Sequence, residues 1–132
     1  MLKNELQVVK SNQVIEASYQ LSTIEQRLVL AAISHIPKGQ TVTDEVLYTV
    51  SVADLQLLGV NQTTAYRDIK EGVNKLYERS IHIWVDNKSI KIRWVQEIQF
   101  MDSQGVIGIR FSKLLLPFIS NLSREFTKYA LS

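Results

Sequence analysis

Three features of this 132-residue chain predict an α+β fold built as a single domain, residues 1–132. A long, strongly apolar helix pattern, "LSTIEQRLVLAAISHIPKG", comes first. Two further helical patterns, joined by a tight glycine-containing turn, run through "LYTVSVADLQLLG" and "NQTTAYRDIKEGVNKLYERS". After Ser80 the apolar period changes from 3.6 to 2. The order helix, strand, helix, helix, β-hairpin is that of a winged helix: a helix–turn–helix with a β-hairpin wing and a three-stranded antiparallel sheet.

Each element follows from its own residues. "VVKSNQVIEAS" predicts a short helix capped near Asn12, with Val14, Ile15 and Ala17 facing inward. In the central helix, Ser22 and Glu25 form a capping box, each side chain satisfying a free backbone N–H. Ile24, Leu28, Ala32 and Ile36 make one stripe, and Val29, Leu30 and Ile33 lie outside it, which marks a helix buried on most sides. Pro37 and Gly39 end it. A brief strand, Leu47 to Val50, runs into a helix that Ser51 and Asp54 can cap and Gly59 can close. Asn61 caps the next helix, residues 62 to 79, whose buried face is Ala65, Tyr66, Ile69, Val73, Leu76 and Tyr77.

The remaining strands alternate. "IHIWV" places Ile81, Ile83 and Val85 on one side. "SIKIRWVQEIQF" places Ile90, Ile92, Trp94, Ile98 and Phe100 on one side, and "VIGIRF" does the same with Ile107, Ile109 and Phe111. With turns at "DNK" and "DSQG", the expectation is a three-stranded meander whose first hairpin is the wing. "SKLLLPFISNL" reads as helical, with Pro117 placed to kink it.

Composition narrows the function. The 15 Lys and Arg against 13 Asp and Glu leave a net charge of +2, only mildly basic. The absence of cysteine excludes disulfide scaffolds and thiolate metal sites. No apolar run approaches the roughly 20 residues of a membrane span, and "MLKNELQVVK" is too charged for a secretory signal, so the chain reads as cytoplasmic. No phosphate-cradling GxxxxGK[ST], GxGxxG, HExxH or GxSxG is present. His35, at a helix end, can cap the last carbonyls, and His82 lies on the strand face opposite Ile81 and Ile83. No catalytic residue, cofactor or metal site is expected, and the chain does not read as an enzyme.

The candidate DNA-binding residues are Thr63, Arg67, Lys70 and Asn74, spaced four, three and four along one outer helix face, and Lys88, Lys91 and Arg93 on the wing. Asp68, Glu71 and Glu78 run beside the first set and would repel phosphates. The same spacing serves a solvated face of mixed charge equally well, and the wing lysines a solvated hairpin. Trp94 reads as core rather than a stacking platform.

"VVKSNQVIEASYQLSTIEQRLVLAAIS", "TTAYRDIKEGVNKLYERSI", "RWVQEIQF" and "FTKYALS", in that order, resemble the replication initiator (Rep) proteins of iteron-containing, theta-replicating bacterial plasmids. The likeness is to their first winged-helix domain and covers essentially the whole chain. It implies a parent with two winged-helix domains, the second reading the bases of the origin repeats. The first domain would support homodimerisation and contact the backbone of double-stranded DNA, and host helicase and polymerase would do the enzymatic work. The family pattern continues past Ser132 into the second domain, so an isolated first domain is expected. The resemblance and the mixed charge of the outer helix face both favour phosphate contact over base readout. Two other readings stand beside it: a stand-alone winged-helix transcriptional regulator and a pure dimerisation module. The dimer surface is expected on the strands or the N-terminal region.

Overall fold

The computed structural model describes residues 3–36, 40–57, 66–119, 121 and 122, with side chains from Val8 onward. Helix α1 spans Lys3–Ser18 and runs straight through Asn12, which is exposed in mid-helix rather than capping a start. Nothing in the segment breaks a helix. Its buried stripe of Ser11, Val14 and Ser18 is mostly polar, so the apolar period understates the helix. Ile15 and Ala17 are half-buried against the core.

Helix α2, Thr23–Ser34, carries the expected capping box. Ser22 N–H donates to Glu25 Oε2 at 2.8 Å, and Glu25 N–H donates to Ser22 Oγ at 3.3 Å. Gln26 Nε2 donates to the Ser18 and Leu21 carbonyls at 3.1 and 3.2 Å, closing the turn between α1 and α2. Leu28, Val29, Leu30, Ala31 and Ala32 are all buried, as a central helix requires. The helix ends with His35 at its C-cap, two residues before Pro37.

Strand β1, Tyr48–Ser51, begins one residue later than expected and leads into α3, Val52–Leu57. Ser51 N–H donates to Asp54 Oδ2 at 2.8 Å and Asp54 N–H to Ser51 Oγ at 3.1 Å, the second capping box. The expected closing turn at Gly59 and the cap at Asn61 lie outside the described residues. Helix α4, Tyr66–Glu78, buries Ile69, Gly72, Val73 and Leu76. A Cβ at Gly72 would stand 3.2 Å from Ile24 and Leu28 side-chain carbons, so this glycine lets α2 and α4 approach closely.

The strands follow in two separate sheets. β2, Ser80–Val85, and β3, Lys88–Arg93, form a hairpin of their own. β4, Val95–Met101, and β5, Val106–Phe111, join β1 in the order β1-β5-β4. The three-stranded antiparallel sheet of a winged helix is therefore present, but not as the expected meander. "SIKIRWVQEIQF" breaks at Trp94 because Trp94 and Val95 are consecutive and both 1% exposed, which no single strand with one buried face allows. A register shift between Val95 and Glu97 completes the break. The wing is the β4–β5 hairpin, with Gly105 at φ 63° in its turn, and not the β2–β3 hairpin.

After β5, Lys113–Phe118 is a 3-10 turn containing Pro117, and α-helical geometry starts at Ile119. The core lies between α2, α4 and the three-stranded sheet. The β2–β3 hairpin buries Ile81, Ile83, Val85 and Ile92 on its inner face, with α1 packed against β2.

Candidate nucleic-acid interface

Of the helix residues expected at DNA, Thr63 lies outside the described residues. Arg67, Lys70 and Asn74 share the outer face of α4, and Arg67 is the more open of its two cations, its side chain 81% exposed against 36% for Lys70. Its ion pair to the adjacent Asp68, at 3.7 Å in open solvent, holds it only weakly. Glu71 and Glu78 are exposed on the same helix.

Lys70 is held in place. Its Nζ stands 3.2 Å from Asp102 Oδ1 at the tip of the wing. The ammonium also lies 5.6 Å from the Tyr66 ring centre and 5.2 Å from that of Phe100, within cation–π range of both. Tyr66 Oη donates to the Val106 carbonyl at 3.0 Å, which ties the start of α4 to β5. The neighbouring Tyr66 hydroxyl and Lys70 ammonium hold the Asp102 carboxyl below the usual range for an aspartate. Burial, then the neighbouring Asp102, pushes the Tyr66 hydroxyl up. The wing tip is therefore acidic and locked onto the outer face of the helix.

The three basic strand residues do not form one cluster on the wing. They lie on the β2–β3 hairpin, and its register separates them. Lys88 pairs with Val85, on the side of Ile83 and Ile90, whereas Lys91 and Arg93 pair with His82 and Ser80 on the outer face. Residue parity along a strand dictates this: an even-numbered lysine faces away from two odd-numbered basic residues. Arg93 reaches the C-terminal end of α4. Its Nη2 donates to the Tyr77 carbonyl at 2.7 Å, and its guanidinium lies 5.3 Å from the Tyr77 ring centre, where a helix end favours a cation. The outer face of α4 thus continues through Arg93 to Lys91.

His35 does not cap helix carbonyls with its ring; its Nε2 lies 2.9 Å from Asp54 Oδ2, linking α2 to the N-terminus of α3. Burial pushes the Asp54 carboxyl up, but bonds from Ser51 and His35 outweigh it and hold the group low. His82 is exposed on its strand as expected, and Trp94 is core. Residue types alone did not single out Trp84, which is 64% exposed on the outer hairpin face; the alternation of "IHIWV" places it there, opposite the isoleucines. Among the described residues no group of His, Cys, Asp or Glu is arranged to hold a metal ion, and no helix is long and apolar enough to cross a membrane.

Comparison with known proteins decides what this arrangement belongs to. The family "Initiator Replication protein, WH1" matches residues 7–132. The chain belongs to this family. A crystal structure of the WH1 domain of MSBI1.176, a replication protein isolated from a multiple sclerosis patient, is similar at 32% identity and a TM-score of 0.76. That match covers 92% of this chain and 98% of the other. The Pi initiator protein, solved in complex with iteron DNA, shares the fold at a TM-score of 0.68 and 20% identity, over 84% of this chain and 48% of that one. An uncharacterized 27.6 kDa protein of Escherichia coli is 28% identical, aligned over 99% of this chain. The WH1 domain described here spans 60% of that relative's length. The winged-helix fold and the initiator family read from the sequence are both borne out.

Proposed function

We propose that this WH1 domain is the DNA-contacting and dimerisation module of a plasmid-type replication initiator, acting at origin repeats and gripping mainly phosphates. The observation that carries this reading is the basic track on one surface: Arg67 and Lys70 on α4, with the neutral amide of Asn74 beside them, continued by Arg93 at the helix end and by Lys91. The track suits phosphates better than bases. Lys70 is turned onto the wing tip and Arg93 onto Tyr77, so neither side chain is free to extend into a groove. The carboxylates of Asp68, Glu71 and Glu78 beside them would oppose deep insertion between two phosphate backbones. The enzymatic steps of replication would fall to host helicase and polymerase, reached through the full-length initiator.

Salt titration of duplex binding tests this directly. Each phosphate neutralised contributes about −0.9 to the slope of log affinity against log salt. Replacing Lys91 or Arg93 by alanine is expected to weaken repeat and random duplexes equally and to flatten that slope by about one unit. If Arg67→Ala instead abolishes discrimination between repeat and random DNA while leaving non-specific binding intact, α4 reads bases, and the stand-alone regulator becomes the better account. The mixed charge of α4 favours one further reading, a pure dimerisation module, for which duplex binding is absent even at low salt. Sedimentation across a wide concentration range checks self-association, and a strictly monomeric species removes the dimer from the proposal.

A further inference from the structure

We propose that the outer face of the β2–β3 hairpin is a platform for single-stranded nucleic acid. On it Trp84 stacks an unpaired base while Lys91 holds the adjoining phosphate, and Arg93, its guanidinium anchored on Tyr77, adds positive charge further along the strand. This goes beyond the duplex reading and uses a residue, Trp84, that the reading does not need.

The register of the hairpin places Ser80, His82 and Trp84 of β2 opposite Arg93, Lys91 and Ser89 of β3. Those six outward side chains comprise two permanent cations, a histidine, two hydroxyls and an indole, with no carboxylate. The indole is 64% exposed, although the surrounding fold has buried every isoleucine and valine of β2 on the other face. The Trp84 backbone is fixed from the strand edge. Gln13 of α1 donates from Nε2 to the Trp84 carbonyl at 2.8 Å and accepts from the Trp84 N–H at 2.7 Å. This is the pair of bonds a neighbouring strand would supply, so the ring projects from a rigid base.

A broad exposed aromatic face flanked by cations suits a polyanion that also carries flat π-systems. Stacking on an aromatic side chain and phosphate attraction are the two components of single-strand binding, and both are tolerant of sequence. A duplex cannot use the indole, because its base faces are already stacked on one another. A protein partner could use the indole and Arg93 but not the strongly hydrated Lys91, a residue depleted at interface centres, whereas a single strand uses all three. Along β2, His82 and Trp84 stand about 7 Å apart, within reach of neighbouring bases of an extended strand. Glu16 of α1 lines the far side of the cleft beside His82 and Trp84, so the strand's path is expected on the Lys91 side.

Tryptophan fluorescence titration with oligo-dT, oligo-U, an abasic oligonucleotide of equal charge, and a duplex tests the proposal. Oligo-dT and oligo-U should both bind and quench; the abasic strand should bind about tenfold more weakly, because stacking is lost and phosphate attraction is kept. Trp84→Ala should weaken oligo-dT by about tenfold and leave duplex binding unchanged. Trp84→Phe should keep most of the affinity but abolish the quench, since the other tryptophan, Trp94, is 1% exposed. Arg67→Ala should weaken the duplex and leave oligo-dT alone, so failure here and failure of the duplex reading are told apart. Unchanged oligo-dT affinity in Trp84→Ala, or equal binding of the abasic strand, overturns the platform. So does a dimer that Trp84→Ala dissociates without loss of oligo-dT binding, which would make this face a protein interface.

Discussion

Glu25 and Arg79, 54 residues apart, form a two-pronged ion pair that joins the start of α2 to the end of α4. Arg79 Nε donates to Glu25 Oε1 at 2.9 Å and Nη2 to Oε2 at 3.1 Å, while the Glu25 side chain has no exposure to solvent. The same carboxylate closes the capping box, so one buried residue serves both the helix terminus and the interhelix contact. Arg79→Ala should therefore destabilise the domain by about 1–3 kcal/mol, the cost of leaving a buried acceptor short of its partners. The cost should stay below the about 3–5 kcal/mol of breaking a fully buried pair, because Arg79 is itself 42% exposed and water can enter its place. Urea denaturation gives the number, and an unchanged midpoint would show that the pair contributes nothing.

Acid should unfold the protein partly through the same residue. Burial pushes the Glu25 carboxyl up, but the bonds from Arg79 and Ser22 outweigh it and leave the group below its usual range. An unfolded glutamate titrates at about 4.3. The stabilisation from Glu25 is thus fully present above that value and is lost as pH falls through the lower, folded one. Asp54, held low by Ser51 and His35, acts with the same sign. Glu25→Gln should be less stable than the parent at neutral pH, and the gap should narrow on acidification. Thermal melts across that range check it; a gap constant with pH would mean that the charge is not what stabilises.

Packing around α2 sets the largest single-residue cost. Leu28 is wholly buried, and its side chain lies against the α4 surface opened by Gly72. Leu28→Ala should cost about 2–5 kcal/mol. Ser22→Ala, which removes only the cap acceptor, should cost about 0.5–2 kcal/mol. Denaturant titration of both variants should preserve that order.

What the sequence made legible was local. Ser22–Glu25 and Ser51–Asp54 are each three residues apart, so the chemistry that starts α2 and α3 is visible in single short strings. The apolar stripe of α4 was readable for the same reason, Ile69, Val73 and Leu76 recurring at the helix period. The sheet was harder, because pairing joins distant segments: β5 lies between β1 and β4, although β1 precedes it by more than fifty residues. A signal for the break at Trp94 did exist. Continuing the alternation of Ile90, Ile92 and Trp94 would have put Gln96 inside, and Gln96 is exposed. Of the candidate site, the α4 face was readable from spacing. The partition of Lys88 from Lys91 and Arg93 was available from parity, but the capture of Lys70 by Asp102, 32 residues on, was not.

That capture yields the last prediction. The Lys70 ammonium is shared between Asp102 and the rings of Tyr66 and Phe100, so a DNA phosphate reaching this surface must compete with a carboxylate already in place. The same carboxylate, 65% exposed at the wing tip, also repels the phosphate. Asp102→Asn removes both effects while keeping the size of the side chain. Exposed ion pairs are weak, so duplex affinity at low salt should rise by no more than about fivefold. The dependence on salt should become steeper by about 0.9, because Lys70 is then free to neutralise one more phosphate. Lys70→Ala should do the reverse, and Asp102→Asn should lose most of its effect when added to it, as coupled neighbours do. Equal gains from Asp102→Asn with and without Lys70 would reduce Asp102 to a source of general repulsion, and the wing would then play no part in setting the charge of the α4 face.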